Sequence, residues 1–251
     1  MRNGDFVQWF EALEKRHLAN LEFSEVRRAV QALSSLYVER RGRLGGASAV
    51  DGAGKRAAFA LFFGPLHFLL IREVIRELQA GVPKRAAILD IGCGTGVAGA
   101  AWALAMDRRP RIIGVDQNSW ALQECTWTYR SLGISGVAKS ADLNTLRVPA
   151  ETAVVAAFTI NELDSDTRNR FHNDFLGTAQ KGMPVLVIEP IARRLTSWWD
   201  AWARDWTAAG GREDHWRFRI ELPERLALMD RAAGLDHQEL TGRSLWLPGK
   251  P

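Results

Sequence analysis

The residues best suited to do chemistry lie in one short stretch, Asp90-Ile-Gly92-Cys93-Gly94-Thr95-Gly96. The apolar residues Ala87-Ile-Leu89 precede it and small residues follow it, which predicts a buried strand, a glycine-rich turn and a helix. Glycines let the backbone come close to a ligand, and the first turn of the helix offers unpaired N–H groups. The stretch therefore predicts a binding site for a nucleotide-like cofactor.

Further polar residues follow the next two predicted strands. Asp116 and Gln117 stand at the carboxyl end of the second strand, and Asp142 and Leu143 come after the third. An acidic residue after the second strand can accept hydrogen bonds from ribose hydroxyls. Because acidic residues recur at successive strand ends, we expect them to surround the same cofactor.

Two cofactors fit the glycine-rich turn. Residues 94–99 match the G-x-G-x-x-G pattern of dinucleotide-binding proteins. The longer pattern Asp90-x-Gly92-x-Gly94-x-Gly96 instead resembles the signature of class I S-adenosylmethionine (SAM) methyltransferases. A long helical segment before the first strand, Asp90 ahead of the glycines and Asp142 after the third strand all favour SAM. SAM is a cation without phosphates, which suits carboxylates around a turn that contains no basic residue.

The resemblance runs from about residue 86 to the C-terminus and implies a role for each matching position. The implied cofactor-binding residues are Asp90, Gly92, Cys93, Gly94, Gly96, Asp116, Gln117, Asp142, Leu143 and Phe158. Those of the turn would hold the methionine part, and Asp116 would hold the ribose. Gln117, Asp142 and the backbone of Leu143 would contact the adenine. Phe158 begins the segment that faces the transferable methyl group.

The segment after the fourth predicted strand, residues 158–164, should carry the acceptor side. It lacks the Asn/Asp-Pro-Pro-Tyr pattern of methylation on adenine amino groups, which argues against that chemistry. Asn161 and Glu162 are the candidate catalytic residues, and Glu162 would be the base if the acceptor must lose a proton. A helix-start cap is the equally weighted alternative for Glu162. His67 fits a core histidine better than a base, and His172 is predicted to be solvated.

A narrower resemblance concerns Asn161-Glu162-Leu163 and Val187-Ile-Glu189-Pro190. Both segments are similar to those of methyltransferase-like proteins associated with the small ribosomal subunit of mitochondria and bacteria. Those proteins carry a cysteine cluster in their C-terminal half, whereas no cysteine follows Cys125 here, so no metal site is expected. We therefore favour methyl transfer to an oxygen or nitrogen atom of a small molecule by in-line displacement. The alternatives are a ribosomal RNA methyltransferase, an inactive SAM-binding ribosome-assembly factor and, less favoured, a nicotinamide-dependent oxidoreductase.

The elements that must position these residues form an alternating pattern from residue 86 onward. Short apolar runs separated by helical segments predict a parallel sheet with helical crossovers. The predicted strands are 86–90, 111–116, 136–139, 153–158 and 185–189, and the helices between them are 97–106, 119–132 and 166–179. A late strand at 215–222, a helix at 224–233 and a last strand near 237–247 resemble a terminal antiparallel hairpin. The predicted fold is thus the α/β, Rossmann-like class I methyltransferase sheet, mostly parallel, with an N-terminal helical extension.

The first part of the chain is predicted to be helical, which divides the chain into a helical substrate cap, 1–84, and a SAM-binding core, 85–251. The segment 40–54 is the best linker candidate. A helix at about 55–79 precedes the first strand, and we expect one of Phe59, Phe62 and Phe63 to close over the cofactor. Trp198, Trp202 and Trp206 share one helical face, for which packing against the sheet is favoured over an aromatic pocket.

Composition sets the remaining expectations. The 251 residues are 47% hydrophobic and 25% charged, as in an ordinary globular protein. The formal net charge of +4 is compatible with RNA but gives it little weight. No uninterrupted apolar run reaches the roughly 18 residues of a membrane span, so no membrane partner is expected, and the expected location is the cytoplasm.

Overall fold

A computed structural model describes residues 3–39, 52–191, 197–235 and 237–249. Seven strands form one sheet: β1 (Ala87–Ile91), β2 (Ile112–Asp116), β3 (Gly136–Ser140), β4 (Thr152–Ala157), β5 (Val185–Glu189), β6 (Arg212–Phe218) and β7 (Leu240–Leu247). Their order across the sheet is β3-β2-β1-β4-β5-β7-β6. The first five are parallel, and β7 runs antiparallel to both β5 and β6. The predicted sheet and its terminal hairpin are confirmed.

Helices precede the sheet and connect its strands. They are α1 (Asn3–His17), α2 (Phe23–Glu39), α3 (Ala53–Ala58), α4 (Gly64–Leu78), α5 (Val97–Ala105), α6 (Ser119–Ser131), α7 (Ser165–Gln180), α8 (Trp199–Ala208) and α9 (Glu224–Ala232). A π-helix, Phe59–Phe63, joins α3 to α4, and a 3₁₀ turn, Ile160–Glu162, follows β4. The helix predicted at 55–79 is therefore three segments, and residues 40–51 of the predicted linker lie outside the described residues.

The connections place helices on both faces of the sheet. One hydrophobic cluster contains residues of α1, α2, α4 and α5 and includes the fully buried Trp102. The other contains the aromatic residues of α7 and α8, including Phe171, Phe175 and Trp202. Because the first cluster joins the N-terminal helices to the sheet, the two parts share one core, and the division at residue 84 stays a prediction.

The stretch Ala53–Leu78 is the one helical segment among the described residues that is long and apolar enough to cross a membrane. However, 78% of its apolar window is buried inside the protein. The central helices of globular cores have the same length and composition, and α4 occupies such a position against α5.

Parallel strands bring their carboxyl ends to one edge of the sheet, and this edge positions the site. Asp90 pairs in register with Gly114 of β2 and Val155 of β4. At the same edge, Glu189 of β5 pairs with Arg243 of β7. The residues that follow β1 to β5 therefore converge, as the sequence predicts.

Candidate active site

The turn after β1 requires its glycines. Gly92, Gly94 and Gly96 have φ angles of +63°, +50° and +81°, a region that side chains with a Cβ rarely adopt. A Cβ on Gly92 would lie 2.4 Å from the Thr159 side chain, and one on Gly96 would lie 2.8 Å from the Cys125 sulfur. At Gly94 the nearest atom is Cε1 of Phe59 at 4.0 Å. The turn is thus packed tightly at Gly92 and Gly96 and is open at Gly94, where a ligand can approach the backbone.

Asp90 lies buried beneath this turn, with 1% of its surface exposed. Its Oδ2 accepts a hydrogen bond from the Gly99 N–H in the first turn of α5, at 2.8 Å. Its Oδ1 is buried without a hydrogen-bond partner among the described residues. Burial raises the pKa of Asp90 to about 7, against the lowering effect of the Gly99 N–H. The carboxyl group therefore couples the end of β1 to the start of α5.

Asp116 connects the second strand to the same turn. Its Oδ2 accepts the Gly94 N–H at 2.9 Å, and its Oδ1 accepts the Asn118 N–H at 2.8 Å. The carboxylate is half-buried, and each of its oxygens can accept more than one hydrogen bond. It is therefore held in place beside the turn and can still accept hydroxyl groups of a ligand.

Gln117 and Asp142 meet where β2 and β3 end. The Gln117 Nε2 donates to Asp142 Oδ1 at 3.2 Å, and the Asn144 N–H donates to the same oxygen. Both side chains are exposed, whereas Leu143 is buried. Arg170 donates to the Leu143 carbonyl oxygen, which can accept one further hydrogen bond.

Aromatic rings lie beside the turn at Gly94. The Phe59 ring packs edge-on against Trp120, with 6.2 Å between the centroids. Phe62 is fully buried in the core, and Phe63 is half-buried and faces His67. Among the three phenylalanines, Phe59 is thus the one placed over the glycine turn.

At the end of β4, Phe158 adopts an unusual backbone conformation. Its φ is +58°, which is a genuine outlier for a bulky residue. Its N–H donates to the Ile188 carbonyl oxygen at 2.8 Å. The ring stacks on the half-buried His67 of α4, with 4.0 Å between centroids. The predicted strand therefore ends one residue early, and His67 lies at the edge of the site.

Asn161 lies between two partners that sequence reasoning did not assign to the site. Its backbone N–H donates to Glu189 Oε1 at 3.1 Å, and its Nδ2 donates to Glu189 Oε2 at 2.8 Å. The Trp198 Nε1 donates to Asn161 Oδ1 at 3.0 Å. Burial raises the pKa of Glu189 to about 8, and the charge of Glu162 adds to this effect.

Glu162 itself is exposed. The cap of α7 is Asp164, whose carboxylate accepts the N–H groups of Asp166 and Thr167, so the capping alternative for Glu162 is wrong. The expectation of a solvated His172 is also wrong, because its ring stacks on Trp202 at 4.8 Å and burial lowers its pKa.

Of the four tryptophans in α8 and directly before it, three lie in the core and one lies at the site. Trp199, Trp202 and Trp206 are buried, which confirms the predicted packing of this face against the sheet. Trp198, at the start of the helix, is half-buried and contacts Asn161. Only this one of the four tryptophans is placed to influence the site.

Comparison with solved structures identifies this architecture. The mitomycin 7-O-methyltransferase MmcR aligns over 95% of this chain and 71% of its own, with 13% identity and a TM-score of 0.54. The CurJ carbon methyltransferase aligns over 95% and 70%, with 12% identity and a TM-score of 0.51. The chain has the class I methyltransferase fold. By sequence, no protein-family model and no curated protein matches it.

Glu189 and Arg243 are the polar residues of this methyltransferase fold that sequence reasoning did not place in the site. A signal for Glu189 exists, because it ends a buried strand as Asp90 and Asp116 do. Arg243 carries no such signal, since its position depends on the pairing of β7 with β5. Within the described ranges, no group of three or more His, Cys, Asp or Glu side chains could hold a metal ion.

Proposed function

We propose that this chain is a methyltransferase that binds SAM and transfers its methyl group to an oxygen or nitrogen atom of a small molecule. One observation carries the proposal. Asp90, Asp116 and Asp142 lie within two residues of the carboxyl ends of three neighbouring parallel strands, around a turn of positive-φ glycines that is open at Gly94. This is a site for a ligand with hydroxyl groups and positive charge.

The residues present fit SAM. Asp116 is fixed beside the turn by two backbone N–H groups and would accept the ribose hydroxyls. The backbone of Gly92, Cys93, Gly94 and Gly96, with Asp90 beneath, would hold the methionine part. Gln117, Asp142 and Leu143 would border the adenine, and the rings of Phe59 and Trp120 would cover one side. The carboxylates of this site would, in contrast, repel a pyrophosphate group.

On the acceptor side, the proposed catalysis relies on alignment and the exclusion of water. SAM supplies an electrophilic methyl group when it is bound. Phe158 and Asn161 would border the acceptor, and stacked aromatic rings would exclude water from it. Glu162, exposed beside this position, would take up a proton if the acceptor must lose one.

A small molecule is preferred to RNA as the acceptor because the net charge is only +4. The N-terminal helices are proposed to form the substrate cap. In support, α4 contributes His67 and the π-helix contributes Phe59 and Phe63 to the border of the site. An acceptor enclosed in this way would be smaller than a folded nucleic acid.

Titration calorimetry with SAM and S-adenosylhomocysteine tests cofactor binding. We expect binding by the wild type and a loss of at least tenfold in affinity for Asp116→Ala, the loss expected when hydrogen bonds from two hydroxyls to a charged group are removed, roughly 1.5 kcal/mol or more. Asp107→Ala is the matched control, since this exposed carboxylate follows α5 at its far end. Absence of SAM binding, or an unchanged affinity in Asp116→Ala, would overturn the proposal.

Other results would support the alternatives. SAM binding and co-sedimentation with small ribosomal subunits, without methyl incorporation into any metabolite or RNA, would indicate an assembly factor. Quenching of the protein's fluorescence by a reduced nicotinamide dinucleotide would indicate an oxidoreductase.

A further inference from the structure

The side-chain amide of Asn161 is held at both ends. Its oxygen accepts the indole N–H of Trp198 at 3.0 Å, and its nitrogen donates to Glu189 at 2.8 Å. An indole nitrogen can only donate. The contact with Trp198 therefore fixes which end of the amide is oxygen and which is nitrogen.

The partners of Asn161 are themselves held firmly. Glu189 is fully buried and pairs in register with the buried Arg243 of β7. The Arg243 guanidinium lies over the Trp199 ring, 4.1 Å from its centroid. Arg168 donates to the carbonyl oxygens of Ile160 and Leu163, on either side of Asn161. The amide thus belongs to a 3₁₀ turn that hydrogen bonds from Trp198 and Arg168 and to Glu189 hold in place.

The fixed orientation has a consequence for the ligand. The Asn161 Nδ2 carries two hydrogens, and Glu189 takes one of them. The amide therefore presents an N–H donor beside the end of β4, three residues after Phe158, and Asn161 is half-buried there. A group bound at this position receives a hydrogen bond instead of donating one.

We infer that Asn161 selects an oxygen acceptor, with Trp198 and Glu189 as positioning residues; this inference rests on the proposed methyl transfer. An oxygen nucleophile has at least two lone pairs, so it can accept the Asn161 hydrogen bond with one and attack the methyl carbon with another. A neutral amine has a single lone pair, which the same hydrogen bond would occupy. In the step itself, the C–O bond forms as the C–S bond breaks, the sulfur keeps the electron pair, and the hydroxyl proton passes to a base or to water.

The product of the reaction tests this inference. The purified protein is incubated with SAM labelled with ¹³C in its methyl group and with the small-molecule extract of its source organism. Methyl carbons on oxygen, nitrogen and carbon are then distinguished by their ¹³C chemical shifts. We expect O-methyl products. N-methyl or C-methyl products would overturn the oxygen selection while supporting methyl transfer, whereas SAM binding without any labelled product would overturn both.

Two variants test the positioning role. Trp198→Phe removes the indole N–H that holds the amide oxygen, so the amide keeps only its hydrogen bond to Glu189. We expect kcat/KM for the methylated compound to fall about tenfold, the effect of one lost hydrogen bond, with the affinity for SAM unchanged. Trp206→Phe, two turns further along α8 and fully buried, is the matched control. It should lower the melting temperature more than Trp198→Phe and leave kcat/KM near the wild-type value. Equal effects of the two variants on kcat/KM would assign Trp198 a merely structural role.

Discussion

The imidazole ring of His67 stacks on the phenyl ring of Phe158, with 4.0 Å between their centroids and 21° between their planes. His67 lies on α4, which precedes the sheet in the chain, and Phe158 directly follows β4 at the edge where the site forms. Phe158 makes this contact in a left-handed conformation that costs roughly 1–2 kcal/mol for an L-residue. Backbone strain of this kind is typical of binding sites. The stack thus joins the N-terminal helices to the proposed acceptor position.

Two substitutions at His67 separate the stack from the polar atoms of the imidazole. His67→Ala removes the ring, and we expect the free energy of unfolding to fall by about 1–2 kcal/mol. His67→Phe retains a ring on Phe158, so its free energy of unfolding should fall clearly less. Urea denaturation measures both. If the free energy of unfolding falls equally in the two variants, the ring contact contributes little and the polar contacts of His67 stabilise the fold.

A side chain at Gly92 should disrupt the site. In Gly92→Ala the new Cβ would meet Thr159 at 2.4 Å, and the φ angle of +63° is unfavourable for alanine. We expect a loss of about 3 kcal/mol in the free energy of unfolding and no measurable SAM binding. Chemical denaturation and calorimetry provide the two measurements.

Gly177→Ala is the control for this substitution. Gly177 lies within α7, and a Cβ there would have no atom within 4 Å. Alanine should therefore stabilise the helix by roughly 0.5–1 kcal/mol and leave SAM binding unchanged. A Gly92→Ala protein as stable as the wild type would contradict the packing of the turn against Thr159.

The sheet and the cofactor side of the site could be predicted because their signals are local. Strands β1, β2, β4 and β5 are short, mainly apolar runs, and the glycine turn after Ile91 requires residues without a Cβ. Asp90 and Asp116 could be placed at one edge because parallel strands share that edge. The resemblance predicts the terminal antiparallel hairpin, whereas the order of the strands is known only from the structure.

The acceptor side could not be predicted to the same degree because it depends on contacts between distant segments. Arg243 reaches Glu189 only through the antiparallel pairing of β7, and Trp198 reaches Asn161 across 37 positions of the chain. The positive φ of Phe158 has no sequence signal, since phenylalanine rarely adopts it. The π-helix at Phe59–Phe63 is likewise a tertiary adjustment within a sequence that reads as one continuous helix.

An ion-pair cluster should stabilise the packing of α1 against the core. Glu124 of α6 is buried and accepts hydrogen bonds from Arg16 at 2.8 Å and His17 at 3.0 Å. Burial alone would raise the pKa of Glu124, but these two donors outweigh it and lower the pKa. We expect Glu124→Ala to lower the free energy of unfolding by about 1–2 kcal/mol and to speed proteolysis between α1 and α2.

Glu77→Ala is the control for Glu124→Ala, because it removes an exposed partner of Arg76. Exposed ion pairs contribute little, so this variant should change the free energy of unfolding by less than about 0.5 kcal/mol. Limited proteolysis followed by mass spectrometry identifies the first cleavage site. Identical cleavage patterns for the wild type and Glu124→Ala would show that α1 is held by its apolar face alone.

The stability of the protein should fall as the pH rises from acidic to neutral values, because burial raises the pKa of Glu189 to about 8 and that of Asp90 to about 7. Between about pH 4.5 and these values, the folded chain keeps two protons that the unfolded chain has lost. Each group then lowers the free energy of unfolding by at most about 1.4 kcal/mol per pH unit.

Glu189→Gln removes one of these contributions, so the variant's stability relative to the wild type should increase from pH 4.5 to 8 and level off above it. Asp200→Asn, at an exposed carboxylate, should give a flat difference. Urea denaturation across this pH range measures both, and a flat or falling difference for Glu189→Gln would show that the buried carboxyl group is already ionised at acidic pH.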